Sequence, residues 1–79
     1  MKAIVWSKIN CPYCVSAVAL LKQKGYDIEE RKVGVEFTKE QLLEAVPTAR
    51  TVPQIFLDEE YIGGYDNLVK HFEAKDATN

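Results

Sequence analysis

The sequence predicts an α/β domain, a four-stranded mixed sheet flanked by three helices in the order βαβαββα. Three observations predict it. The apolar run Ala3-Ile4-Val5-Trp6 is too short for a helix and precedes a segment whose apolar residues recur at helical spacing. A second strand-like run follows that helix, and a strand, crossover helix and strand imply a right-handed parallel βαβ unit. Two further short strand candidates lie close enough in sequence to pair as a hairpin and add an antiparallel edge. The 79 residues allow one compact core and no second lobe. The expected organisation is one domain over residues 1–75 and a flexible tail over 76–79.

Each element has its own warrant. Lys2–Ser7 reads as a buried strand. Over residues 12–24, Cys14, Val15, Ala17, Val18 and Leu21 repeat at helical spacing. Pro12 suits the first helical position, where its missing N–H would be unpaired anyway, and Gly25 stands where a left-handed residue ends a helix. Residues 27–33 form the second strand, with a charged centre. Thr38 and Gln41 make a capping-box pattern before Leu42, Leu43 and Val46, and Pro47 stops that helix. Residues 54–57 and 61–63 are the hairpin strands, joined by Asp58-Glu59-Glu60. Asp66 is placed to cap a last helix carrying Leu68, Val69 and Phe72 on one face, and helices are expected on both faces of the sheet. Trp6 and Phe56 are expected in the core.

Composition excludes several functional classes. Hydrophobic residues at 47% and charged residues at 28% place the chain with globular rather than disordered proteins. A net charge of −2 and a pI near 5.3 argue against a general nucleic-acid binder, which needs a basic face. The start lacks the apolar length and cleavage site of a signal peptide, and no stretch approaches a membrane span, so a cytoplasmic home and no membrane partner are expected.

Chemistry concentrates in Cys11-Pro12-Tyr13-Cys14, which holds both cysteines of the chain. A disulfide between them closes a loop too short to constrain the unfolded chain much, so their value lies in reactivity. In a reducing compartment such a pair is more often catalytic or metal-binding than a structural staple. Cys11 falls where the strand gives way to the helix. The free N–H groups and positive end of that helix favour an anion, so its thiol should ionise more readily than an ordinary cysteine near pKa ~8.5. Cys14, one turn inside the helix, points back toward Cys11 and is better shielded. This pattern makes Cys11 the nucleophile and Cys14 the resolving thiol. Lys8 either supports the thiolate or a substrate carboxylate, or is a solvated loop lysine. A closed zinc site is disfavoured because no second Cys/His pair exists, and no metal is expected.

With these residues in view, the chain resembles a glutaredoxin of the thioredoxin-like fold, most like the compact bacterial and phage members. Trp6-Ser7-Lys8 leads into Cys11-Pro12-Tyr13-Cys14, matching the family's dithiol motif. Thr51-Val52-Pro53 resembles the segment bearing its cis-proline, and Gly63-Gly64-Tyr65-Asp66 resembles its glycine-pair turn. Taken singly, the last two segments read as a loop and a turn. Jointly, in this order and spacing, they span nearly the whole chain.

The resemblance implies glutathione as reducing co-substrate and a cradle for it beside Cys11. Pro53 would follow a cis bond and leave the Val52 backbone, after Thr51, free to pair with the cysteinyl part of the tripeptide. Gly64 and Tyr65 would offer N–H groups to its γ-glutamyl carboxylate while Asp66 pairs with the ammonium. Lys8 and Tyr13 would contact the glycyl end and the sulfur-side wall. A contact from the second helix is common in the family; Lys39, Glu40 and Gln41 occupy that region, and sequence does not choose among them. Arg50 is either an attractor of anionic substrates or simply solvent-facing.

The activity so implied is glutathione-dependent reduction of protein disulfides and glutathione mixed disulfides, by a monomer, with ribonucleotide reductase a family-level candidate substrate. Two other readings fit parts of the pattern. A thioredoxin-type reductant recharged by a flavin reductase fits the fold and the cysteines but neither Pro12-Tyr13 nor the cradle. A carrier holding a [2Fe–2S] cluster between two chains through Cys11 and glutathione is disfavoured by the stiffening Pro12 ring.

Overall fold

The computed structural model describes the backbone of residues 1–77 and the side chains of residues 1–74. The elements are β1 (Lys2–Ser7), α1 (Pro12–Gln23), β2 (Asp27–Lys32), α2 (Lys39–Ala45), β3 (Gln54–Leu57), β4 (Glu60–Gly63) and α3 (Tyr65–Ala77). They realise the predicted βαβαββα order. The sheet runs β2-β1-β3-β4, with β1 and β2 parallel and the other neighbours antiparallel. Ala3 sits opposite Ile28 on one side and Leu57 on the other, which fixes which side chains share a face.

Both ends of α1 form as the sequence chemistry dictates. Cys11 is the N-cap, in extended conformation, and Pro12 occupies the first turn. Gly25 adopts φ +83°, with its N–H on the Lys22 carbonyl and the Tyr26 N–H on the Leu21 carbonyl, each at 3.1 Å. That pair of bonds satisfies carbonyls the helix would otherwise leave open, and it needs a residue at ease with positive φ. For α2, Thr38 Oγ1 accepts from the Gln41 N–H at 3.1 Å and Gln41 Oε1 accepts from the Thr38 N–H at 2.7 Å, the expected reciprocal cap.

The main core lies between the sheet and the α1/α3 layer. Ala3 and Val5 of β1, Ile55 and Leu57 of β3, Ala17 and Leu21 of α1, and Leu68 and Phe72 of α3 are all buried there. Fully burying a side chain such as Leu21, Ile55 or Leu68 is worth about 1.5–3 kcal/mol each.

The opposite face carries α2, so helices lie on both faces as expected, but seven residues of helix cover that face only in part. Gln41, Glu44 and Ala45 of the short α2 border one hollow with Trp6, Arg31 and Phe37. Trp6 is buried as expected, edge-on to Phe37 at 5.3 Å, and the Arg31 guanidinium lies 5.1 Å from the Trp6 ring and 5.2 Å from that of Phe37. Seven residues of helix cannot also reach the far end of the sheet, so Phe56 is half-buried there beside Tyr61 rather than in the core.

Several boundaries differ from the sequence reading, among them β4, which starts at Glu60, and α1, which ends at Gln23. β2 ends at Lys32; the Val33 N–H still bonds the Ser7 carbonyl at 2.8 Å, but Val33 itself pairs with Phe37 as an isolated bridge. α3 starts at Tyr65, so Asp66 lies in its first turn instead of capping it; the Gly64 carbonyl accepts the first helical bond, from the Leu68 N–H. α3 continues to Ala77, past the domain end drawn at residue 75, and residues 78–79 of the expected tail lie outside the described residues. No described helix is long and apolar enough to cross a membrane.

Candidate active site

Three chain segments meet at one end of the sheet: the start of α1 after β1, the loop before β3, and the start of α3 after β4. Cys11 and Cys14 are joined as a disulfide with their Cα atoms 5.2 Å apart, and both are buried, Cys14 more completely. The Cys14 N–H donates to Cys11 Sγ at 3.2 Å, because an N-cap side chain faces the unpaired N–H groups of the first turn. Cys11 Sγ also lies 3.9 Å from the Val52 carbonyl oxygen. A sulfur so placed gains from an amide donor and from the positive end of α1, both of which favour its anion.

The Val52-Pro53 peptide bond is cis, the isomer the resemblance implies. A cleft of about 370 Å³ opens beside it, lined by Tyr13, Thr51, Val52, Pro53, Gly64, Tyr65, Asp66 and Asn67. Seven of these are residues singled out in the sequence. Tyr13 stands well exposed with its ring 5.9 Å from that of Tyr65, so the two flank one side. The other side carries the unpaired N–H groups at the start of α3 and the Asp66 carboxylate. That end can hold a group bearing both a carboxylate and an ammonium.

Gly63, with φ +117°, makes the turn into α3 possible. A Cβ there would also run into the Asn67 side chain.

Lys8 is not part of this cleft. It borders a smaller one of about 210 Å³ on the far side of Thr51 and Val52, together with Lys39 and Arg50, so three cations named separately in the sequence gather there. It also reaches a groove beside both cysteines that contains Ile9, Val15, Glu30 and Lys32. Asn67 was missed. Its one sequence signal is its place in the first turn after the glycine pair. Gln41 faces away, spent on the α2 cap and on the Trp6 side. Among the described residues, no three His, Cys, Asp or Glu side chains come together in a way that could hold a metal.

Comparison with known proteins agrees with this geometry. A family model described as glutaredoxin matches residues 3–62. Glutaredoxin 1 of Rickettsia conorii is 43% identical over 68 residues, which span 82% of this chain and 66%, just under two thirds, of that relative. Glutaredoxin 3 of Escherichia coli strain K12 is 39% identical over 64 residues, covering 81% of this chain and 77% of its own length. The structure of reduced Escherichia coli glutaredoxin superposes with a TM-score of 0.78 at 32% identity, covering 94% of this chain and 95% of that one.

Proposed function

The chain belongs to the glutaredoxin family, whose Cys-x-x-Cys pair supports thiol–disulfide oxidoreductase chemistry, and we propose that its reductant is glutathione. The observation that carries this reading is the position of the Cys11 sulfur. It caps α1, accepts the Cys14 N–H, and lies against Val52, the residue whose backbone also lines the cleft.

In this mechanism the Cys11 thiolate attacks the glutathione sulfur of a glutathionylated protein. A Cys11–glutathione disulfide forms, and the protein thiolate leaves and takes up a proton. A second glutathione thiolate attacks the bound glutathione sulfur, releasing oxidised glutathione and restoring the Cys11 thiolate, with no call on Cys14. A protein disulfide needs both cysteines. Cys11 forms the mixed disulfide, then Cys14 loses its proton and attacks the Cys11 sulfur, and the substrate leaves as a dithiol. The resulting Cys11–Cys14 disulfide returns to the dithiol at the expense of two glutathiones. A potential of about −200 to −230 mV, typical of glutaredoxins, lets the cytosolic glutathione pool drive that step.

Glutathione would lie along Thr51-Val52-Pro53, its γ-glutamyl end at Gly64, Tyr65 and Asp66 and its sulfur walled by Tyr13. Its glycyl carboxylate would point toward Lys8, with Lys39 and Arg50 adding positive charge. The reading places the protein in the cytoplasm as a monomer acting on disulfide-containing or glutathionylated proteins, with ribonucleotide reductase a candidate. The test is glutathione-dependent reduction of a small mixed disulfide, coupled to NADPH and glutathione reductase. Turnover by the parent and by Cys14→Ser, with Cys11→Ser dead, is expected. A parent inactive with glutathione but active with thioredoxin reductase would sink the proposal.

A further inference from the structure

A chain of hydrogen bonds on the open face of the sheet ends inside the glutathione cleft. Tyr61 Oη donates to Gln54 Oε1 at 2.6 Å, and Gln54 Nε2 donates to the Thr51 carbonyl at 2.8 Å. The orientation of the Gln54 amide follows from its partners. A backbone carbonyl only accepts, so the NH₂ group must face Thr51, which leaves the amide oxygen for the Tyr61 hydroxyl. Gln54 is 7% exposed. Its amide is therefore held from both ends, with little room for water to take the place of its own NH₂ group on the Thr51 carbonyl.

The Thr51 carbonyl and the Val52 N–H belong to one planar trans peptide and point in opposite directions. Drawing the carbonyl onto Gln54 turns the N–H the other way. Val52 lines the cleft, and its backbone is the edge along which glutathione would pair. We propose that Gln54, fixed by Tyr61, is a positioning residue that aims the Val52 N–H at bound glutathione. The inference rests on the glutathione reading above.

Gln54→Met keeps the length of the side chain but has no N–H to give the Thr51 carbonyl, and Tyr61→Phe removes only the hydroxyl. A lost hydrogen bond of ordinary strength corresponds to about a threefold to tenfold loss of affinity. For Gln54→Met we expect KM for a glutathionylated peptide to rise within that range, with kcat changed less than twofold. Tyr61→Phe should show a smaller rise, because Tyr61 is 46% exposed and water can replace its hydroxyl. The Val52 amide resonance should shift in both proteins when they are folded and free of ligand. A shifted Val52 resonance with an unchanged KM overturns the proposal, as does a lowered melting temperature with neither change. A parent with no glutathione-dependent turnover overturns the functional reading, and the aiming role with it. In that case the Val52 resonance still reports whether Gln54 sets the peptide.

Discussion

Replacing Glu59 with glycine should stabilise this protein. The β3–β4 turn consists of two residues with positive φ, Asp58 at 47° and Glu59 at 72°, between the paired Leu57 and Glu60. Two-residue hairpin turns of this hand favour Asp-Gly, and the sequence supplies only the first of the two. A left-handed conformation costs an ordinary residue about 1–2 kcal/mol, and glycine's greater freedom in the unfolded chain gives back about 0.5–1 kcal/mol. The Glu59 side chain is exposed and makes no hydrogen bond or ion pair among the described residues, so little offsets the gain. A net stabilisation of about 0.5–1 kcal/mol follows, or about 2–8 °C in melting temperature for a domain of this size. Asp58→Gly is the control, because Asp58 Oδ1 accepts the Lys2 N–H at 2.8 Å and the glycine would forfeit that bond. Its loss, about 0.5–1.5 kcal/mol, cancels or exceeds the conformational relief. Urea titration at constant m-value reads both variants. An unchanged or lower midpoint for Glu59→Gly, or equal gains at the two positions, would show that backbone strain at Glu59 does not limit the stability of this turn.

Two further outcomes test the packing and the charges. Leu21→Ala, at a position with no exposure in the centre of the core, should cost about 2–5 kcal/mol in denaturant titrations; a loss under about 1 kcal/mol would mean that the surrounding side chains collapse into the gap. Glu29 accepts a hydrogen bond from Arg31 Nε and is paired with Lys2 at 3.2 Å, and these two contacts hold its carboxyl below the ordinary glutamate value. A carboxyl whose folded value is depressed contributes stability that is present above its unfolded value and lost as pH falls through the folded one. Stability of the parent should therefore drop more steeply on the acid side than that of Glu29→Gln, and the two curves should converge at the lowest pH. Parallel curves would show that the pairing is fully screened by solvent.

Features that depend on neighbours along the chain were legible in the sequence. Pro12, Gly25 and the Thr38/Gln41 pair mark helix ends by rules spanning four residues, and the structure forms all three as read. The place of Cys11 at the strand-to-helix junction followed from the same kind of local argument, and the structure makes it the N-cap. Thr51-Val52-Pro53 and the segment Gly64-Tyr65-Asp66 were singled out through resemblance, and the fold brings them to one cleft. Features that depend on register escaped. One extra residue in β4, Ile62, lies between the pairs Ile55–Gly63 and Phe56–Tyr61, and Tyr61 reaches Gln54 diagonally across that hairpin. No periodicity in the sequence reports such a slip. Nor does it show that Lys8, Lys39 and Arg50, from three separate segments, come to the rim of one hollow, or that Arg31 lies against two aromatic rings.

The order of the strands bears on how the folded molecule behaves in a crowd of its own copies. β2 and β4 are the lateral strands, and each has backbone amides and carbonyls that no neighbour in the sheet satisfies. Such a border can template the addition of a strand from another chain. Along β2, four consecutive charged residues from Glu29 to Lys32 would have to be brought against an incoming strand, which makes growth on that side costly. Along β4, only four residues are available and the extra residue twists them away from a flat surface. The sheet that positions the Cys11–Cys14 pair thus resists extension at both borders.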